Sequence, residues 1–444
     1  MNAALGEMRR SFLVLQGPAS PFFSTLSLAL MARGHTVCRV NFCGGDVVYG
    51  SGVTRLDFRG GIEELPGWYE TIMEARGITD ILMFGDCRRI HQPVHAVARA
   101  QGANVHVFEE GYVRPNWITL EQHGVNGRST LSRDPQWYRE QRAQTPPSPQ
   151  GYLTGYNLFE RARHDVGFRL ANALYAARFA RYRSHRPHNG VLEYSGLGLR
   201  ALHHRQHRRH AKGVTNGLLH PGSRRRYYIL PLQLNSDAQI VFHSSFSGVK
   251  EVIAQVLASF ARHAPADAWL VIKNHPLDTG LIGYRRYALQ LARHFEIAER
   301  VYFIDAGHLP TLLENASGVI VVNSTVGLSA LHHQCPLKAL GTAIYDMDGL
   351  TWQGELDDFW IHAEPPDMTL YQAFLDYVVH QTQINGDFYT RTGIAMATAG
   401  VLHKLEAAPY PLDVVARSRE TTMPDAVMDV VGPGAPALEA LADV

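Results

Sequence analysis

Two stretches of this chain repeat one rhythm: a short apolar run, then a longer segment with apolar residues three and four apart. In the first, Phe12 to Leu15, Thr36 to Asn41, Asp80 to Phe84 and Asn104 to Phe108 read as strands. Pro21 to Ala32, Ile62 to Ala75 and Gln92 to Ala100 read as the helices between them, with Gly34 as a stop signal. In the second, the strands are Tyr228 to Pro231, Trp269 to Lys273, Val301 to Ile304, Gly318 to Val322 and Leu337 to Leu340. Their helices are Gly248 to Ala261, Tyr284 to His294 and Val326 to His333. A parallel strand is reached only through a crossover, and the crossover helices then cover both faces of the sheet. The expected class is therefore α/β, with two Rossmann-like domains. A length of 444 residues suits two such domains. The expected division is 1–150 for the first, 151–226 for a connecting segment, 227–375 for the second, and 376–444 for a C-terminal helix and tail. The tail from Thr421 reads as poorly ordered.

The connecting segment has its own composition. Arg161 to Leu230 holds 15 Lys or Arg and eight His against Asp165 and Glu193, a local charge of 15 − 2 = +13 in a chain whose net charge is +1. No field for polyanions covers the whole molecule, and nucleic acid is not an expected partner. Phe168, Tyr175, Phe179 and Tyr182 follow one another by seven, four and three residues and share a helical face, beside Arg169, Arg178, Arg181 and Arg183. Such a face lies on an anionic membrane or packs into the protein with a solvated basic rim. His203 and His207 stand four apart in a His-rich run, but Arg205, Arg208, Arg209 and Lys212 beside them repel a cation. A solvated basic helix is expected there, and no metal site. Cys38, Cys43, Cys87 and Cys335 show neither C-x-x-C nor zinc spacing, as suits a reducing compartment. No apolar run approaches the roughly 18–20 residues of a spanning helix, and the apolar run at the start is too short for a signal peptide. The expected location is cytoplasmic, peripheral on the inner membrane.

Ligands of open parallel sheets bind beyond the carboxyl ends of the strands. The polar residues expected there are Gln16-Gly17, Gly44-Gly45-Asp46, Gly85-Asp86-Cys87-Arg88, Glu109-Glu110, Gln233 to Asp237, Lys273-Asn274-His275-Pro276 and Asn323-Ser324-Thr325. Adjacent Glu109 and Glu110 would repel, which raises one carboxyl toward acid/base range. Lys273 and His275 suit an anionic phosphate, with Pro276 fixing the turn. Ser324 and Thr325 precede a helix, where hydroxyls and free N–H groups cap the helix or hold phosphate. Asp237 can serve as nucleophile or brace an Asx turn. Each string alone is more often an ordinary turn or cap. No P-loop, G-x-S-x-G, H-E-x-x-H or G-x-G-x-x-G is present.

In this order the strings resemble the bacterial glycosyltransferases that use CMP-activated sugars: an acid-acid-Gly, then His-Pro, then a Ser/Thr pair. They resemble more closely the capsule polysaccharide biosynthesis family of β-Kdo transferases (Kdo is 3-deoxy-D-manno-oct-2-ulosonic acid). The strings are Leu15 to Pro18, Gly85 to Arg88, Phe108 to Pro115, Gln233 with Asp237 to Ile240, Ile272 to Pro276, Asn323 to Thr325, and Tyr345-Asp346 through Gly349-Leu350-Thr351 to Phe359-Trp360, over about residues 12 to 385. One set of motifs resembles the single-module, KpsS-type branch. Trp352 departs from the pattern, where a smaller polar residue, His or Tyr is expected.

The resemblance implies a GT-B-like fold with a cleft between acceptor and nucleotide domains. It implies transfer of Kdo from CMP-Kdo with retention, onto a phosphatidylglycerol-type lipid that primes capsule synthesis and export. It assigns Lys273, His275, Pro276, Asn323, Ser324 and Thr325 to CMP, and Glu109 or Glu110 to acid/base work at the acceptor hydroxyl. Gln16, Gly17, Asp86, Arg88, Arg114 and Gln233 are expected around sugar and acceptor. Retention by double displacement needs a carboxylate nucleophile, and Asp237 is the candidate. A single phosphate needs no divalent metal, so neither metal nor cofactor is expected. The implied partners are CMP-Kdo, an anionic lipid, the inner face of the membrane and other capsule proteins. The competing readings are a transferase for nucleotide diphosphate sugars and a non-catalytic export scaffold.

Overall fold

The computed structural model describes residues 9–50, 52–184, 190–220, 226–234 and 238–407. Asn235, Asp237 and the tail from Thr421 lie outside the described residues. The first sheet is built on β1 (Ser11–Val14), β2 (Thr36–Asn41), β3 (Thr54–Asp57), β4 (Asp80–Phe84), β5 (Asn104–Glu110) and β6 (Trp117–Gln122). The second holds β7 (Tyr227–Pro231), β8 (Trp269–Lys273), β9 (Val301–Ile304), β10 (Gly318–Val321) and β11 (Leu337–Ala339). The chain then returns to the first sheet with β12 (Gln383–Asn385). The orders are β12-β6-β5-β4-β1-β2-β3 and β11-β10-β7-β8-β9. The second sheet is parallel throughout, as are β1 to β5, while β6 and β12 add antiparallel.

The strands form where apolar residues can be buried on both sides. In the second sheet Ile229, Val271, Ile304, Val319 and Val321 enter one core. Their neighbours Leu230, Leu270, Ile272, Phe303 and Ile320 enter the other. This is the two-residue alternation of a strand covered on both faces. Two Rossmann-like α/β halves thus face one another in a GT-B-like arrangement. In each sheet the strand order reverses beside the first strand of the half, β1 or β7, which opens a crevice at its carboxyl end.

The return of the chain is extensive. Ile384 pairs with Ile118, and Phe388 packs edge-on against Phe22 at 5.0 Å and Phe84 at 5.2 Å. The Arg391–Glu406 helix lies along Phe22–Ala32 and buries Ile394, Ala397 and Val401 in the same core. At the amino end of the first sheet, buried Asp80 accepts from His106 Nε2 at 2.8 Å and pairs with Arg10. These partners outweigh burial and hold its carboxyl below the usual range.

In the connecting segment the aromatic face takes the second of its two expected courses. Its helix Leu158–Leu174 is docked on the first half through the short Gly44–Val48 helix. A Cβ on Gly44 would stand 2.1 Å from the Ala171 carbonyl oxygen, and one on Gly45 would stand 2.3 Å from the Phe168 ring. Phe168 stacks on Tyr49, Phe179 is buried, and the Tyr182 hydroxyl reaches Gln16 Nε2 at 3.3 Å. The aromatic face therefore packs into the protein, because only two adjacent glycines let a backbone approach that closely. Gly44-Gly45-Asp46 is packing rather than a ligand loop: Asp46 is buried and accepts from Phe42 N–H and Gln16 Nε2, both at 3.0 Å.

Candidate active site

At the carboxyl edge of the first sheet the side chains hold one another. Gln16 is buried between Asp46 and Arg88, whose Nη1 donates to Gln16 Oε1 at 3.0 Å and to the Gly17 carbonyl at 3.1 Å. Gly17 is needed for close approach, since a Cβ would stand 2.7 Å from the Phe23 ring. Gln16 and Gly17 thus aim Arg88. Buried Asp86 accepts from Cys87 Sγ at 3.2 Å and from Val125 N–H at 3.4 Å.

Glu109 and Glu110 do not follow β5; they are its last two residues, paired with Thr119 and Ile118 of β6. Successive strand residues point to opposite faces, so the two carboxylates do not face one another as a repelling pair. Glu110 Oε1 meets Arg161 Nη1 at 3.2 Å and accepts from the Tyr389 hydroxyl at 3.0 Å. The Arg161 guanidinium also lies 5.1 Å from the centre of the Tyr389 ring. Glu109 accepts from Glu110 N–H at 3.0 Å and lies with Arg88 beside Gly85.

The second sheet contributes three loops. After β7, buried Gln233 donates from Nε2 to Asn323 Oδ1 at 3.1 Å, tying this loop to the one after β10. After β10, Ser324 Oγ accepts from Val326 N–H at 3.2 Å, a local turn that starts the Val326–His332 helix. Thr325 lines a cavity of about 10 Å³ shared with Tyr112 and Asn126 of the first half. After β8, Asn274 donates to Asp278 and Asp305. His275 Nδ1 accepts from Leu277 N–H at 3.1 Å. A neutral His275 therefore carries its proton on Nε2 and presents a donor there. Pro276 is exposed in the turn.

His275 sits among cations. Burial first, then Lys273, Arg114, Arg200 and Arg161, push its pKa down to about 4. Lys273 is likewise lowered, by burial and by Arg200. Arg114 and Arg161 come from the first half and the connecting segment, so the cluster draws on both sides of the cleft. Arg200, at the C-terminal end of the Gly190–Leu202 helix, clamps the loop through the Asp278 carbonyl at 2.5 Å and Asp305 at 3.3 Å. Sequence reasoning missed Arg161, Arg200, Asp305 and Tyr389. The basic composition of Arg161 to Leu230 is the sequence signal for the first two, but it does not say which carboxylate each would meet. His207, in the His-rich run, reaches Asp305 at 3.5 Å and so has a structural partner.

One further contact crosses the cleft. Cys87 Sγ lies 3.3 Å from His243 Nε2, and with Asp86 they place three potential metal ligands within 4.8 Å of one another. Burial first, then Asp86, raise the Cys87 thiol, which keeps its proton and can donate. Trp352 stands apart from these groups: its indole N–H donates to the Glu355 carbonyl at 2.9 Å, and its ring covers Gly354.

The model of the capsule polysaccharide biosynthesis protein family matches residues 79–389, from the start of β4 to Tyr389. The chain belongs to this family. It is 37% identical over 380 residues to the Escherichia coli capsule polysaccharide export protein KpsS, covering 86% of this chain and 97% of that one. It is 34% identical over 396 residues to the capsule polysaccharide modification protein LipB of Neisseria meningitidis serogroup A, covering 87% and 93%. A solved structure of Thermosulfurimonas dismutans KpsC, titled a beta Kdo 2,7 transferase, aligns over 89% of this chain and 100% of that one, at a TM-score of 0.41 and 14% identity. Among the described residues no helix is long and apolar enough to cross a membrane.

Proposed function

We propose that this protein is a glycosyltransferase that moves Kdo from CMP-Kdo, with retention, to a phosphatidylglycerol-type lipid, at the membrane surface where capsule synthesis starts. The observation that carries the reading is the cationic cluster around His275, where burial first and then neighbouring cations lower Lys273 and His275. A phosphate there would accept from His275 Nε2–H and from Lys273, and stabilisation of a departing CMP is the chemistry such donors supply. Glu110, held by Arg161 and Tyr389, is the base for the acceptor hydroxyl, and Glu109 orients the Arg88 side of the cleft. Retention requires a carboxylate on the sugar face opposite CMP, and Asp237 takes that role. The reaction needs neither metal nor cofactor, because CMP leaves with one phosphate. Membership of a capsule polysaccharide family supports the sugar class. The test incubates purified protein with CMP-Kdo and, separately, with UDP-sugars in the presence of a short-chain phosphatidylglycerol. Kdo transfer from CMP-Kdo alone is expected; transfer from a UDP-sugar, or from neither donor, would overturn the reading. Quenching the reaction of Glu110→Gln should trap a glycosylated peptide containing Asp237, and an adduct elsewhere would reassign the nucleophile.

A further inference from the structure

Neither the phosphate loops nor the acceptor carboxylate uses the cluster of Asp86, Cys87 and His243. It brings together a carboxylate, a thiol and an imidazole, all three buried. Sulfur and imidazole nitrogen suit a borderline-soft cation such as Zn²⁺, and a carboxylate oxygen is a ligand zinc also takes. Cys87 and His243 stand 156 residues apart in the chain, so no ligand spacing could show in the sequence. Hydrogen bonding alone serves this group poorly. Asp86 is 2% exposed, a thiol is a weak donor to it, and Arg128 Nη1 stands 4.0 Å away, beyond hydrogen-bond reach.

Each of the three side chains is aimed by contacts on its far side. Asp86 Oδ1 faces the Cys87 thiol at 3.2 Å, while Oδ2 accepts from Val125 N–H at 3.4 Å and lies toward Arg128. Arg128 thus orients the carboxylate from outside and leaves Oδ1 to the cluster. The Cys87 carbonyl accepts from Gln92 Nε2 at 3.3 Å, which fixes its loop. His243 ends the Ala238–His243 helix, and its carbonyl accepts from Thr342 N–H at 2.9 Å and Asn323 Nδ2 at 3.1 Å. Its ring lies against Gly127 of the first half, where a Cβ would stand 2.3 Å from Nδ1. Nε2 is therefore the nitrogen turned to Cys87, at 3.3 Å. Partners behind the ligands are what hold a metal site in shape.

We infer that Asp86, Cys87 and His243 form a binding site for a Zn²⁺ ion that spans the cleft. The ion takes Asp86 Oδ1, Cys87 Sγ and His243 Nε2, with water in the fourth position. As the zinc–sulfur bond forms, the Cys87 thiol gives its proton to solvent, and the charge of the ion is then cancelled by one carboxylate and one thiolate. Asp86 and Cys87 belong to the loop after β4, and His243 is tied to Asn323 in the loop after β10. The ion therefore braces the first half against the second. It braces the fold and takes no part in group transfer, so the site does not rest on the transferase reading.

Equilibrium dialysis of the full chain, prepared without a histidine tag and stripped with a chelator, measures the site. The parent should retain one Zn²⁺ per chain, and Co²⁺ in its place should give thiolate-to-cobalt charge-transfer absorption. Cys87→Ser should abolish that absorption, and His243→Ala should weaken Zn²⁺ binding at least about tenfold. Cys335→Ser should alter neither, and neither should His203→Ala with His207→Ala in the His-rich run. Zinc should raise the thermal midpoint of the parent and leave that of Cys87→Ser unmoved. X-ray absorption at the zinc edge of the parent needs no variant to fold: it should show one sulfur at about 2.3 Å beside nitrogen and oxygen ligands. No stoichiometric Zn²⁺, a ligand shell without sulfur, absorption that survives Cys87→Ser, or binding lost with His203 and His207 would overturn the site. A parent midpoint that zinc does not raise would overturn the brace.

Discussion

The loops of the first sheet and those of the second reach the cleft in opposite electrical states. On the first side each carboxylate arrives with partners: Glu110 with Arg161 and Tyr389, Asp86 with Cys87 and Val125, Asp46 with Gln16 and Phe42. On the second side Lys273 and His275 are crowded by other cations, and nearby Asp305 is engaged by Arg200, Arg285 and Asn274. A half whose charges are balanced is ready to position a group. A half in which burial first and neighbouring cations second lower Lys273 and His275 is one that an anion would stabilise.

That contrast breaks most visibly at Glu110. Glu110→Gln keeps shape and hydrogen bonding to Tyr389 but removes the carboxylate, and on the proposed role should lower Kdo transfer by ~10²–10⁴-fold with CMP affinity unchanged. Glu109→Gln should cost less. Steady-state rates and CMP calorimetry on both variants decide it; a larger loss in Glu109→Gln would exchange the two roles. The next effect is on the opposite side. His275→Ala should weaken CMP binding by ~1.5–3 kcal/mol, the range for a hydrogen bond to a charged group. Unchanged affinity in a folded variant would remove His275 from the phosphate.

A smaller effect sharpens the same point. The ordinary histidine pKa is about 6.5, and His275 is pushed down to about 4. As pH falls from 6.5 toward 4 the unfolded chain therefore takes up this proton before the folded one, and stability falls through that window. A bound phosphate adds negative charge and raises the pKa, so CMP binding should take up protons and tighten as pH falls toward about 4. Calorimetry in buffers of different ionisation enthalpy measures that uptake, and His275→Ala should abolish it. Uptake that survives the substitution would place the coupling on another group. The smallest expected effect is that of metal removal: EDTA should change the transfer rate by less than about twofold, because no pyrophosphate needs neutralising. A larger loss reproduced by Cys87→Ser would instead make Asp86, Cys87 and His243 a working metal site.

The parallel core was readable because strands buried on both faces write continuous apolar runs, and Thr36–Asn41, Asp80–Phe84, Trp269–Lys273 and Val301–Ile304 fall where those runs do. β6 and β12 were not readable, since each exists only by pairing with a strand already in place, β12 across more than 260 residues. The extension of β5 through Glu110 was hidden for the same reason: its partners Thr119 and Ile118 lie beyond the next turn. The strings at the strand ends located the loops, but the sequence carries no sign of which loop residues hold one another. Gln16 and Gln233 are polar and well placed, yet both are buried in hydrogen bonds to neighbouring loops. Helical spacing in the connecting segment did group Phe168, Tyr175, Phe179 and Tyr182. Which face turns inward was decided by Gly44 and Gly45, more than 120 residues earlier.

The late return of the chain to the first sheet also sets an order of events during synthesis. Phe22, Phe84, Ile118 and Leu120 face a core completed only by Ile384, Phe388 and the Arg391–Glu406 helix. When the ribosome has released the first 150 residues, that apolar surface is still bare. Residues 227–375 can bury their own strands as they emerge, since every strand of that sheet lies among them. The half that begins first is therefore the half that finishes last, and a nascent chain stalled before residue 383 would carry a folded second sheet beside an open first one.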